Sequence, residues 1–113
     1  MLTFNLKKEY FKKIKSGEKT HEYREVKPYW TRRIANIFVD NDTTFNFLHN
    51  VRNYPLFPIN NECVFACGYP KKDDKEKRLK AKIISVTSNV NGMYTDLKIN
   101  KPVYDIEFEL IKE

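Results

Sequence analysis

Glycine is scarce, with three residues in 113, and cysteine and histidine stand at two each. So little glycine excludes collagen-like and low-complexity chains. Cys63 and Cys67 have no second pair, and His21 and His49 lie far from them in sequence, so a four-ligand zinc site is not expected. On a strand, positions i and i+4 share one face about 13 Å apart, beyond the reach of a disulfide. The two are expected as reduced, mostly buried thiols of a cytoplasmic protein. Long apolar runs are lacking as well. Nothing approaches the roughly 18 residues of a membrane span. The opening "MLTFNLKKEYFKKIK" has no signal-type apolar core or small-residue cleavage site. The expectation is a soluble cytoplasmic protein with no membrane partner.

Acidic residues are the minority, 15 against 21 basic, giving a net charge of +6. That balance favours an anionic partner such as RNA, a nucleotide or a nucleoside, although a lysine-rich genome produces it without one. Aromatics are plentiful at 14%, and hydrophobic residues reach 41%. A chain of this length buries one core unaided, so residues 1–113 are read as a single domain.

Leu2, Phe4 and Leu6 alternate with Thr3 and Asn5, as in a short strand. In "KKEYFKKIKSG" the period changes. Tyr10, Phe11 and Ile14 share a helical face amid lysines, with Asn5 as cap and Gly17 as a left-handed stop. Lys19–Val26 alternates as a strand that Pro28 ends. "PYWTRRIANIFV" reads as a short helix with proline in its first turn, running into an extended segment at Ile37–Val39. Asp40–Asn61 is too apolar for a free linker and is expected to pack. "CVFACGYP" is a buried-type strand ending in a turn. "KKDDKEKR" is a charged hairpin loop, and "LKAKIISVTSNV" a long strand. "NGMYTDLKINKP" is a turn-containing connector. In "VYDIEFELI", Val103, Asp105, Glu107 and Glu109 form a wet face against Tyr104, Ile106, Phe108 and Leu110. The class is α+β: a small mixed barrel of about five to six strands with two or three peripheral helices. An open sheet with the helix on one face is the alternative.

The stretch "SGEKTHEYRE" carries the chemistry. On a strand Thr20, Glu22 and Arg24 project to one side, about 6.6 Å apart in succession. Lys19, at the strand's start, can fold over the same side. Such an acid, guanidinium and amine together suit a polar planar ligand, a nucleobase or a phosphate. A desolvated lysine can serve as base or nucleophile, and a nearby glutamate can shuttle protons or orient water. An arginine can hold an anionic or carbonyl oxygen. The same alternation also serves a solvated salt-bridge ladder.

"FKKIKSGEKTHEYR" resembles the signature of the ASCH domain, a branch of the PUA-like superfamily. The matching positions are Phe11, Ile14, Gly17, Lys19, Thr20, Glu22 and Arg24. The strands "CVFACGY" and "VYDIEFELI" are similar to the family's middle and last strands, and "EVKPYW" looks like its small phage and bacterial members. The resemblance implies a PUA-like β-barrel whose cleft, lined by the Lys-Glu-Arg motif, handles RNA or nucleosides. Some small bacterial members are amidohydrolases that deacetylate N4-acetylcytidine, and at least one is reported as a ribonuclease. In the amidohydrolases the lysine matching Lys19 is catalytic, aided by a threonine where this chain has Glu22 and by a later glutamate. By chain order, Glu62 and Asp96 are candidates for that later acid. Neither metal nor cofactor is implied.

Lys19 and Glu22 are therefore the candidate catalytic pair, with Thr20 and Arg24 binding ligand. Tyr29, Trp30 and Tyr69 are further candidates, the first two for base stacking and Tyr69 for the cleft rim. A barrel-end plug is the alternative for Tyr29 and Trp30. His21 is expected at the surface. Arg32 and Arg33 are candidates for phosphate contact. The favoured function is binding of RNA or a nucleoside. Hydrolysis of an amide or phosphodiester is the alternative. A third possibility is a protein-interaction module presenting Phe45–Phe57.

Overall fold

The alternating residues at the start fold as β1 (Leu2–Leu6), with Leu2, Phe4 and Leu6 buried. The structure is a computed structural model and describes residues 2–38, 56–58 and 60–112. Helix α1 (Lys8–Lys15) buries Phe11 and Ile14, three positions apart on one face. Asn5, expected as its cap, lies inside β1 instead. The strand continues through Leu6, which pairs with Cys67, so Lys7 takes the cap position without a side-chain hydrogen bond. Past the helix end, Gly17 adopts φ 85, the left-handed turn that glycine makes without a Cβ clash.

Strand β2 (His21–Glu25) is shorter than expected because both flanking residues bond elsewhere. The Lys19 N–H donates to the Lys13 carbonyl at the end of α1, and the Val26 N–H to the Pro102 carbonyl. Helix α2 (Pro28–Ala35) opens on its proline and buries Thr31, Ile34 and Ala35. Ile37 and Phe38 do not extend as a strand. Their N–H groups bond back to the Ile34 and Ala35 carbonyls and form a turn. Of the expected packed insertion, Leu56 exchanges two backbone hydrogen bonds with Val86 and packs on the core, while Phe57 is exposed. Residues 39–55, including most of the proposed interaction surface, lie outside the described residues.

Strands β3 (Glu62–Cys67), β4 (Arg78–Asn89) and β5 (Val103–Leu110) complete the sheet, and a 3-10 turn at Lys75–Lys77 sits in the charged run. The strand order is β1-β3-β4-β5-β2. β1 runs parallel to β3, and the other neighbours pair antiparallel. A bulge in β4 explains its mixed pattern. Ile83 faces Phe108 and Ser85 faces Glu107, so Ile84 is the extra residue. Buried positions accordingly shift from Ala81 and Ile83 to Val86 and Ser88, and Ile84 turns outward. On β5, Tyr104, Ile106 and Phe108 are buried as the alternation predicts. Val103, expected on the wet face, is buried beneath Gly92.

Among the described residues the protein is thus α+β, a curled five-strand mixed sheet forming a half-barrel with two helices. Its edge strands are β1 and β2. Among the described residues no strand pairing joins them. A side-chain bond crosses the seam, from Arg24 Nη2 to the Asn5 carbonyl at 3.3 Å. No helix among the described residues is long and apolar enough to cross a membrane.

Candidate functional site at the sheet seam

The β2 alternation sends Glu22 inward, where its side chain is only 5% exposed. A buried carboxylate needs compensating partners, and Glu22 has three. Its Oε2 accepts from Arg24 Nη2 at 2.7 Å, its Oε1 lies 3.4 Å from Lys19 Nζ, and Oε1 also accepts the Tyr23 N–H at 3.2 Å. The Lys19 side chain is 10% exposed and reaches the same place from the turn after α1. Its ammonium pairs directly with Asp96 Oδ2 and lies 5.2 Å and 5.8 Å from the Tyr23 and Tyr10 ring centres. The four groups form one chain of alternating sign: Asp96, Lys19, Glu22, Arg24. Each inner charge is flanked by its opposite, which satisfies the row without net charge.

Arg24 ends the row on an aromatic base. Its guanidinium lies 4.6 Å from the Trp30 ring and 5.2 Å from Phe4, and Trp30 stacks on Phe4 at 5.5 Å. Trp30 therefore lies against Arg24, where cation–π contact orients the guanidinium. The Arg24 Nε is buried without a hydrogen-bond partner among the described residues.

Asp96 comes from the connector between β4 and β5, which is tied by its own hydrogen bonds. Gly92 bridges to Ile99, and the Gly92 N–H donates to the Lys101 carbonyl at 2.9 Å. Thr95 Oγ1 donates to the Gly92 carbonyl at 2.7 Å and accepts the Leu97 N–H at 3.2 Å. Asn91 pairs with Asn100 across its neck. Asp96 is thereby held over β2 from 77 residues away in sequence. Of the two acids weighed by chain order, Asp96 reaches Lys19. Glu62 is exposed at the start of β3, beside a different hollow with Arg33 and Asn60.

Two concavities open on this row. One, of about 350 Å³, is lined by Lys13, Lys19, Thr20, His21 and Tyr94 among others. The other, of about 300 Å³, is lined by Asn5, Lys7, Glu22, Arg24 and Leu97 among others. Tyr10, Tyr23 and Asp96 border both. Thr20 stands exposed at the first, and its carbonyl accepts the Phe108 N–H. Tyr29 and Tyr69 do not line either hollow. Tyr29 meets Trp30 edge-on with Arg33 over its face, and Tyr69 is exposed at the Gly68 turn. His21 faces outward, its Nδ1 2.6 Å from Asp105 and its Nε2 3.6 Å from Glu107. Among the described residues no group of three or more His, Cys, Asp or Glu is placed to hold a metal ion.

The placement of Tyr10, Tyr23 and Tyr94 at these hollows was not legible in the sequence, and chain order alone did not choose Asp96 over Glu62. Tyr10 reads as a core residue, and the connector gives no periodic signal. The Tyr23 hydroxyl is held above its ordinary pKa, first by burial and then by the negative charges of Asp105, Asp96 and Glu22. Cys63 is buried and Cys67 half-buried, both as free thiols. No protein-family model matches the chain, and no curated protein or solved structure matches it.

Proposed function

We propose that the protein is a PUA-like, ASCH-type domain that binds RNA or a nucleoside at the seam between β1 and β2. The observation that carries this reading is the convergence of Lys19, Glu22, Arg24 and Asp96 in one concave, tyrosine-lined site. Such a row offers both donors and acceptors at fixed positions, as recognition of a planar polar ligand needs. Tyr10, Tyr23 and Tyr94 supply apolar faces beside it. Titration with short single-stranded RNA tests the reading. Affinity is expected to fall steeply with salt and to weaken about tenfold on Arg24→Ala. Salt-independent binding, or none, refutes it.

The Lys19–Asp96 contact favours a second reading, metal-independent hydrolysis of an acylated nucleoside of the N4-acetylcytidine type. The later acid that such chemistry calls for meets Lys19 directly. Water would add to the acyl carbon and the C–N bond would break, releasing a carboxylic acid and the free amine. Lys19 would act as base or nucleophile, Glu22 would shuttle the proton or orient the water, and Arg24 would hold the carbonyl oxygen. Turnover of N4-acetylcytidine that disappears in a folded Lys19→Ala protein supports this reading. Unchanged turnover in that variant excludes it.

A further inference from the structure

We infer that the seam takes two consecutive nucleotides of a single strand rather than one free nucleoside. This rests on the binding reading above and specifies its ligand. The site is not one cup. Asp96, with Tyr10 and Tyr23, stands as a shared wall between two hollows of similar size, about 350 and 300 Å³. Lys19 lines the first, while Glu22 and Arg24 line the second. The motif is therefore split between two compartments, and a single base in either one meets only half of it.

The cations around the seam divide into two kinds. Lys19 and Arg24 are committed to carboxylates within the row. Lys13 lines the first hollow and Lys7 the second, and both are exposed with no carboxylate partner among the described residues. Lys7 is the cap residue before α1 and Lys13 lies in its second turn, with the shared Tyr10 between the two lysines in sequence. One exposed ammonium group at each hollow suits the phosphates of consecutive nucleotides, while Asp96 and Glu22 accept N–H groups from base edges. Tyr94, fully solvent-exposed at the mouth of the first hollow, offers a stacking face for the outer base.

The test is calorimetric or fluorescence titration at low salt with a 5′-phosphorylated ribodinucleotide, the matching mononucleotide and a six-nucleotide RNA. The dinucleotide should bind at least about tenfold tighter than the mononucleotide, and the hexamer little tighter per site. Lys7→Ala and Lys13→Ala should each lower the salt slope for the dinucleotide by about one. Tyr94→Ala should weaken the dinucleotide several-fold. Equal affinity for mono- and dinucleotide, or a dinucleotide indifferent to both lysine variants, overturns the two-subsite arrangement and leaves nucleoside binding standing. Failure of all three probes to bind overturns the binding reading and this inference with it.

Discussion

Glu22 is the residue on which the site's charges depend. It holds two cations while almost wholly buried, so its removal leaves both Lys19 and Arg24 short of a partner. Glu22→Ala should cost about 3 kcal/mol of unfolding free energy. Asp96→Ala, removing a more exposed acid that touches Lys19 alone, should cost about 1 kcal/mol. Urea denaturation of both variants checks the ranking. Cys63 makes a second prediction. Burial pushes its thiol from 9.0 up to about 12, with a smaller push from Glu22. The fold favours the neutral thiol, so this stabilisation is complete below pH 9 and is lost as pH rises towards 12. The upward shift of Tyr23 has the same sign at the top of that window. Stability measured in urea should fall from pH 9 to 12, and Cys63→Ala should flatten the fall.

At the scale of elements, the connector between β4 and β5 builds the site as much as β2 does. Gly92 is its tightest point. A Cβ there would lie 2.5 Å from Cγ1 of the buried Val103 and 3.3 Å from the Ile99 carbonyl. Gly92→Ala should therefore cost about 1–3 kcal/mol and move the amide NMR signals of Thr95 and Asp96, since both belong to the same hydrogen-bonded loop. The regular elements were legible because their periods are clear. Phe11 and Ile14 mark a helix face, and Tyr104, Ile106 and Phe108 mark a strand face. The β4 bulge was not legible, because an inserted residue reverses the alternation that a strand reading relies on. The connector was not legible either. Its order comes from Asn, Thr and Gly bonding to one another, a pattern without periodicity.

For the whole molecule, the sequence motif located half of the site and the curl of the sheet located the rest. Lys19, Glu22 and Arg24 sit within six positions and could be read together. Asp96 and Tyr94 join them only because β2 pairs with β5, which places the preceding connector over the seam. Trp30 looked like a ligand contact by its position after the motif. In the fold it stacks on Phe4 and carries the Arg24 guanidinium 4.6 Å from its ring. The same distant joining governs how the protein is made. Pairings that span most of the chain put folding in the slow range, with a refolding time expected in milliseconds to seconds by stopped-flow fluorescence of Trp30. On a ribosome adding about 5–20 residues per second, Lys19 emerges roughly 4–15 s before the Asp96 that lies 77 residues later. Throughout that interval the nascent chain carries the motif without the acid that completes its row of charges.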